Sequence, residues 1–440
     1  MLGVSKEASL PFLTSQIKHT NLRDELELKY KDRLKERLGY RRLVTYVPNK
    51  NLPVYNWFKY KEGFSRQLVF NLLRNWKIIP NEIILDPFAG CGTTLLACKE
   101  LGYRGVGVDI LPVAVFVARV KLEDWKDINA LSNAVDSLMS TPFREPAGGF
   151  PDVKIVNLAF SAEVQREVLF FKEEILEKYE KPIQNFLMLG LLSILEKVSF
   201  TSKDGQFLRL IERKTPPVRD TLRQHLSSML LDLRYRELSL SQVKRAKVEI
   251  YEGDARAMSL PSKYKGQIAA VITSPPYLNR YDYSRTYSLE LCTLFVNKFD
   301  ELREIRHSLL RSHIESRVEK DREIKLPALK EILDALAKKD LNNNRIPIMI
   351  EGYFEDMAMS IQSLTRYLKP GGRVALVVAN ARFEGEMVPT DLLLSELAAE
   401  AGLQTEEIWV TRYKGNSSQQ MAKYGRVPVR ESILFWRKSA

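Results

Sequence analysis

An apolar strand that runs directly into a glycine-containing turn and a helix is the feature that most constrains the fold of this 440-residue chain. Ile83–Asp86 is the strand, Gly90 and Gly92 lie in the turn, and a helix follows. The strand Gly105–Asp109 and the helix Pro112–Lys121 repeat the pattern. This alternation predicts an α/β fold with a doubly wound, mostly parallel Rossmann-like sheet that helices cover on both faces.

Two long segments interrupt the alternation of strands and helices. Helical periodicity dominates residues 122–245, and residues 298–346 form a second charged, helix-like stretch. Amphipathic helices are expected within residues 15–43, before the first strand. We therefore expect an N-terminal helical segment and a core divided by two insertions. The expected parts are 1–53 for the N-terminal segment, 54–121, 246–297 and 347–440 for the core, and 122–245 and 298–346 for the insertions.

The composition favours a polyanionic partner. Lys and Arg outnumber Asp and Glu by 67 to 55, a formal charge of +12, and basic side chains on phosphates release condensed counterions. The 3 cysteines are too few for a disulfide framework, and the 4 histidines lack metal-site spacing, so no metal is expected. A signal-peptide pattern is missing, and the longest apolar stretch is far shorter than the roughly 20 residues that span a bilayer. We expect a soluble cytoplasmic protein without a membrane partner.

The first turn has the chemistry of a site for a nucleoside-containing cofactor. Gly90 and Gly92 let the backbone approach a ligand, and the following helix presents free N–H groups. Asp109 ends the next strand, where ribose hydroxyls are held in such sheets. The turn lacks the third glycine of the dinucleotide fingerprint and the Lys-Ser/Thr of a P-loop, which disfavours NAD and excludes a P-loop. For Gly-x-Gly by itself, a generic tight turn is the alternative.

The full string Asp86-Pro87-Phe88-Ala89-Gly90-Cys91-Gly92-Thr93-Thr94 resembles the cofactor motif of the amino-methyltransferases, the DNA N4-cytosine and N6-adenine enzymes. The resemblance implies a methyltransferase sheet with helical insertions, and S-adenosylmethionine as the cofactor. It also implies that Asp109 holds the ribose and Asp254 the adenine. Trp57–Ser65 resembles the motif before this turn, although an ordinary helix start explains it equally well. The implied cofactor residues are Phe64, Ser65, Asp86, Phe88, Ala89, Gly90, Gly92, Thr93, Thr94, Asp109, Asp254 and Ala255.

A second motif directly follows the apolar strand 268–273, at the carboxyl edge where open α/β sheets build their sites. An exocyclic base amine is a poor nucleophile because its lone pair is delocalised into the ring. Acceptors on both amine hydrogens, here Ser274 Oγ and the Pro275 carbonyl, would free that lone pair, and Tyr277 offers a stacking face for an extruded base. A structural Pro-Pro turn is the alternative. The predicted catalytic residues are Ser274, Pro275, Pro276 and Tyr277.

The same motif bears on the target base and on the partner. In the family it resembles, N4-cytosine enzymes usually carry Ser-Pro-Pro-Tyr or Ser-Pro-Pro-Phe, whereas N6-adenine enzymes usually begin the motif with Asp or Asn, so Ser274 favours cytosine N4. The expected partner is double-stranded DNA, with a cognate restriction endonuclease as a further candidate. Predicted nucleic-acid contacts, chiefly in the basic loop between the last two strands, are Arg280, Arg412, Lys414, Lys423 and Arg426.

Several alternatives stay open at this point. Arg280 can equally form an ion pair with Asp282. Target recognition is assigned to the 122–245 insertion or to the 298–346 insertion, and a scaffold or an oligomer interface explains the larger one as well. Adenine N6, an RNA base amine, and an inactive nucleic-acid-binding homologue are the competing functions.

Overall fold

The computed structural model describes residues 21–203, 207–240, 246–319, 322–415 and 423–439. Among the helices in these ranges, none combines the length and the apolar character needed to cross a membrane. The strands are β1 (Leu34–Glu36), β2 (Ile83–Asp86), β3 (Arg104–Asp109), β4 (Thr201–Ser202), β5 (Arg209–Leu210), β6 (Val248–Glu252), β7 (Ile268–Thr273), β8 (Leu368–Ala379), β9 (Ala381–Phe383), β10 (Glu386–Val388), β11 (Leu403–Lys414) and β12 (Val429–Lys438). The helices are α1 (Leu22–Tyr30), α2 (Arg66–Asn75), α3 (Thr93–Leu101), α4 (Pro112–Leu122), α5 (Ile128–Ser140), α6 (Lys154–Ala159), α7 (Ala162–Lys178), α8 (Ile183–Ile194), α9 (Val218–Leu240), α10 (Tyr283–Thr286), α11 (Ser288–Leu294), α12 (Phe299–Ser308), α13 (Pro327–Ala337), α14 (Ile346–Thr365) and α15 (Thr390–Glu400).

Within the described residues, eight strands form one sheet in the order β1-β11-β12-β8-β7-β2-β3-β6. Neighbouring strands are parallel except where β12 pairs with β11 and with β8, so β12 is the reversed strand. The predicted doubly wound, mostly parallel α/β sheet is therefore confirmed. The chain order switches at β2, which lies between β3 and β7, and such a switch point opens a crevice at the carboxyl ends of the strands.

Alternate residues of the central strands face two separate apolar layers. On β8, Ala375 and Val377 belong to the layer that contains α2 and α3, whereas Val374 and Leu376 belong to the layer that contains α13, α14 and α15. A parallel strand with both faces covered has no polar face to alternate with. This explains why the central strands are apolar throughout and could be located from sequence.

The helices of residues 122–245 do not have an apolar core of their own. Residues of α5, α7, α8 and α9 share one buried cluster with α4, with α11 and with Trp57 and Phe58. The Trp57 indole N–H donates to Asp232 on α9 at 3.0 Å. Lys203 forms a fully buried ion pair with Glu290 on α11. The larger insertion is therefore packed and bonded to the part of the core that carries both motifs.

The expectation of one or two amphipathic helices within residues 15–43 is correct for α1 and wrong for residues 34–36. Leu34–Glu36 forms β1, an edge strand parallel to β11. This edge is held by main-chain bonds such as Arg37 N–H to the Val410 carbonyl at 2.8 Å, and by an ion pair between Lys35 and Glu407. Main-chain bonds and ion pairs leave no periodic apolar pattern in the sequence. The charged stretch was therefore predicted to be a helix. Residues 15–20 lie outside the described ranges.

Candidate active site

A pocket opens beside the carboxyl ends of β2, β3 and β7. Its position at the switch point of the sheet is where open α/β sheets bind their ligands. The walls come from both sequence motifs and from residues 308–313 of the second insertion. The sequence-predicted residues that line it are Phe64, Asp86, Phe88, Ala89, Gly90, Thr93, Asp109, Asp254, Ala255, Ser274 and Pro276.

The turn between β2 and α3 is fastened by Asp109, at the end of β3. Its carboxylate accepts the backbone N–H of Gly90 at 2.7 Å and that of Leu111 at 2.9 Å. Burial raises the pKa of Asp109 to about 6, although backbone hydrogen bonds oppose the rise. A carboxylate offers about four acceptor positions, so Asp109 keeps the capacity to accept from a ribose hydroxyl.

Close approach at the turn depends on the missing side chain of Gly90. Its φ is +50°, and a Cβ there would lie 3.0 Å from Cε1 of Tyr60. Tyr60 lines the pocket, and its ring stacks on Tyr287 with centroids 5.1 Å apart and planes 8° apart. The backbone of the turn therefore lies against an aromatic wall, which suits a flat or sulfonium-bearing ligand in the pocket.

Asp86 links the glycine turn to β7. Its buried carboxylate accepts the Thr273 hydroxyl at 2.7 Å and the Phe88 N–H at 3.2 Å. Thr94, which does not line the pocket, donates its hydroxyl to the Ile272 carbonyl at 3.3 Å. Burial raises the pKa of Asp86 to about 6, against the effect of its hydrogen bonds. These bonds hold the glycine turn and the Ser-Pro-Pro-Tyr turn side by side.

The other predicted cofactor residues shape the backbone or are already paired. Ser65 is buried and accepts the Leu68 N–H at 3.2 Å as the N-cap of α2. Gly92, with a φ of +83°, caps α3. Asp254 accepts two guanidinium nitrogens of Arg256, at 2.9 and 2.7 Å, and 35% of its side chain is exposed. A contact between Asp254 and an adenine amino group would use the acceptor positions that Arg256 leaves open.

Ser274 stands at the pocket wall with its hydroxyl turned to the neighbouring strand. It donates to the Val377 carbonyl on β8 at 3.2 Å, which leaves the lone pairs of Oγ available as acceptors. Tyr277 is buried beside the pocket rather than in its lining, and Lys414 Nζ lies 5.2 Å from its ring centroid. Burial, together with the nearby charge of Glu431, raises the pKa of Tyr277 well above its ordinary value. The tyrosine is therefore a neutral aromatic face at pH 7.

Acidic side chains engage most of the basic residues predicted to contact nucleic acid. Arg412 and Lys414 both pair with Glu431, which is buried. Lys423 pairs with Glu384 at 3.3 Å. The sequence concealed this because both acids lie outside the stretch from 412 to 426 and reach it only in the folded chain.

The other two basic residues differ from these. Arg426 is exposed, and residues 416–422 of the same loop lie outside the described ranges. Arg280 has a φ of +67°, unusual for a residue with a side chain, and donates its N–H to the Ser312 carbonyl at 3.0 Å. The alternative pairing of Arg280 with Asp282 is not formed, because Arg306 holds that carboxylate at 3.2 Å.

Two sets of pocket residues were not named individually from sequence, although the segment 278–285 was expected to line the base pocket or approach the backbone. Tyr60 lies within the upstream motif, and Tyr283 stacks on it with ring centroids 6.0 Å apart. The density of tyrosines over residues 277–287 was a usable signal for this aromatic wall. Residues 308–313 gave no signal, because only the fold brings the second insertion to the pocket.

Comparison with known proteins assigns the family. The pattern of the family described as DNA methylase matches residues 15–118. The type II methyltransferase M.BsoBI of Geobacillus stearothermophilus is 34% identical over 449 residues, which cover 90% of this chain and 88% of the relative. M.AvaI of Nostoc sp. is 33% identical, with 94% and 92% covered, and M.MvaI of Kocuria varians is 23% identical, with 71% and 73% covered.

M.BsoBI and M.AvaI span nearly the whole chain, and the matched pattern includes the glycine turn at the pocket. S-adenosylmethionine is the cofactor. The chain therefore belongs to the DNA methylase family and is a type II DNA amino-methyltransferase of the N4-cytosine and N6-adenine class.

Proposed function

We propose that this protein methylates the exocyclic N4 amine of cytosine at a specific site in double-stranded DNA, after the base has flipped out of the duplex. The observation that carries the proposal is the position of Ser274. Its hydroxyl lies in the wall of the cofactor pocket, where related adenine enzymes usually carry Asp or Asn. Its hydroxyl donates to the Val377 carbonyl and interacts with Tyr277, and Oγ retains acceptor capacity for a ligand.

The residues of the pocket fit the cofactor. Asp109 has acceptor capacity for the ribose, Gly90 gives close backbone approach, and Phe64 and Phe88 provide apolar walls. Bound S-adenosylmethionine supplies a methyl group on a positively charged sulfur. The aromatic wall that includes Tyr60 attracts that positive charge through the faces of its rings.

Three groups of the chain would then prepare the base. Ser274 Oγ and the Pro275 carbonyl accept the two amine hydrogens, which draws the nitrogen toward tetrahedral geometry and frees its lone pair. Tyr277, buried next to the pocket residues Ser274 and Pro276, would provide the aromatic ring on which the flipped base stacks. No covalent protein adduct is needed, and positioning supplies much of the rate enhancement.

The test is methyl transfer followed by identification of the product. Purified protein and labelled S-adenosylmethionine are incubated with DNA, and the digested nucleosides are read by mass spectrometry. N4-methylcytosine is the expected product. N6-methyladenine alone would overturn the cytosine assignment, and methylated RNA without methylated DNA would overturn the DNA assignment.

A variant then tests the role of Ser274. Ser274→Ala removes one acceptor from the amine, so we expect the single-turnover rate to fall roughly ten- to hundredfold while cofactor affinity stays unchanged. Ser140→Ala, on the exposed side of α5, is the matched control. An unchanged rate in Ser274→Ala would remove the serine from the mechanism.

We also propose that the methylated site is the target of a cognate restriction endonuclease. Its relatives are named type II methyltransferases, and 34% identity over most of both chains supports a shared role. Protection of methylated plasmid DNA from that endonuclease, with cleavage of the unmethylated plasmid, is the expected result.

A further inference from the structure

His313 lines the cofactor pocket and is not explained by the mechanism above. The second insertion carries it, and only 1% of its side chain is exposed. Within the described residues, neither ring nitrogen has a hydrogen-bond partner. A buried polar group without a partner costs about 1–3 kcal/mol, so such groups are rare and usually meet a ligand or water.

The neighbouring charges are already engaged with one another. Asp282 Oδ2 lies 4.0 Å from Nδ1 of His313, too far for a hydrogen bond, and forms an ion pair with Arg306 at 3.2 Å. Ser284 donates its hydroxyl to the other oxygen, Oδ1. Glu315, the other nearby acid, pairs with Arg285 at 3.1 Å. These arginines compete with any cation for the carboxylates, which argues against a metal site here.

His313 is neutral at pH 7. Burial lowers its pKa, the acids Asp282 and Glu315 oppose that effect, and Arg306 and Arg345 reinforce it. A neutral imidazole has one N–H donor and one acceptor nitrogen. Since neither is used within the described residues, the ring has one donor and one acceptor to offer a molecule in the pocket.

The path of the chain places this ring on the side of the catalytic turn. Ser308 accepts through its carbonyl from Arg256, the residue paired with Asp254, at 2.6 Å. Four residues later, the Ser312 carbonyl accepts from the backbone of Arg280, which lies three residues past Tyr277. The segment therefore runs from the end of the pocket proposed for adenine toward the catalytic turn. His313, the next residue, is thus placed at the end of the pocket proposed for the target base.

We propose that His313 recognises the flipped target base by donating its N–H to a ring acceptor of that base. The inference rests on the proposed function. When Ser274 and Pro275 accept hydrogen bonds from both amine hydrogens of cytosine, the remaining polar groups on its pairing edge are N3 and O2. Both are acceptors, so the pocket needs a donor. A neutral donor adds no positive charge to the ring and leaves the amine nucleophilic.

The test compares binding to two DNA duplexes that differ in one nucleotide. After the recognition sequence has been read from methylated DNA, one duplex carries the target cytosine and the other an abasic site there. Affinities are measured with S-adenosylhomocysteine present, for wild type, His313→Leu, His313→Gln and the control His307→Leu, from α12 of the same insertion. The affinity of each variant for S-adenosylmethionine is measured in parallel.

We expect His313→Leu to bind the cytosine duplex roughly ten- to hundredfold more weakly and the abasic duplex as wild type does. His313→Gln, which keeps an N–H donor, should recover part of the loss, and His307→Leu should show none. Equal losses on both duplexes, weakened cofactor binding, or no loss would each overturn the inference. If wild type transfers no methyl group to DNA, the proposed function itself fails, whatever His313 does.

Discussion

Gly90→Ala tests the idea that the glycine turn is shaped by backbone conformation and by the aromatic wall behind it. Gly90 has a φ of +50°, and an added Cβ would lie 3.0 Å from the Tyr60 ring. Tyr60 has little freedom to retreat, because it stacks on Tyr287, whose side chain is fully buried. The turn must therefore move, and the 2.7 Å hydrogen bond from Gly90 to Asp109 is the contact that it strains.

Two costs can be separated. An alanine in the left-handed region costs about 1–2 kcal/mol of folding free energy. Gly402→Ala, with a φ of +81° and nothing within 4 Å of the added Cβ, carries this cost alone. A hydrogen bond to a charged group contributes about 1.5–3 kcal/mol. If Gly90→Ala must restore the wild-type turn and this bond in order to bind S-adenosylmethionine, that cost falls on binding and corresponds to roughly ten- to hundredfold weaker affinity.

The assays are urea unfolding for stability and calorimetric titration with S-adenosylmethionine for affinity. Both variants should unfold more easily than wild type, and only Gly90→Ala should bind the cofactor more weakly. Wild-type affinity in Gly90→Ala would refute the reasoning about the turn. Weakened affinity in Gly402→Ala would show that general destabilisation accounts for the effect.

Two further predictions concern buried charge. Burial raises the pKa of Asp86 from 3.8 to about 6, so the protonated carboxyl favours the folded state and its ionisation opposes folding. The stabilisation by the protonated form is present below about pH 4 and is lost as the pH rises to about 6. In Asp86→Asn, the free energy of unfolding measured with urea should therefore fall less between pH 4 and pH 7 than it does in wild type. An unchanged dependence on pH would contradict the assignment. Lys203→Met leaves Glu290 buried without its partner and should cost about 3–5 kcal/mol in the same assay, whereas Lys203→Met with Glu290→Leu should cost much less. An equal loss of unfolding free energy in the single and the double variant would show that the broken ion pair is not the cause of the destabilisation.

The sequence predicted the centre of the site because that centre is local. The glycine turn and the Ser-Pro-Pro-Tyr turn each follow an apolar strand, and parallel strands end at the same edge of a sheet. Asp86 and Thr273 meet across two neighbouring strands, as this rule requires. The upstream residue Phe64 lines the same pocket as Asp86.

The remaining parts depend on contacts between residues far apart in the chain. Arg412 and Lys414 were read as free cations because Glu431, their partner, lies on the next strand. β1 was read as helix because its charged residues pair through the backbone with β11. His313 was not singled out, because nothing near it in sequence indicates that its segment returns to the pocket.

The sequence left target recognition, a scaffold and an oligomer interface open as roles for the larger insertion, and its position argues for a role in holding the site together. Phe58 and Tyr60 come from the upstream motif, and Tyr287 stands between them, 6.0 Å from one ring and 5.1 Å from the other. Lys203 of the insertion lies 4.5 Å from the Tyr287 ring and is paired with Glu290. A continuous set of contacts thus runs from the insertion to the wall that faces the glycine turn. If this insertion rather than the smaller one reads the target sequence, its recognition residues are attached to the same packed cluster that shapes the cofactor pocket.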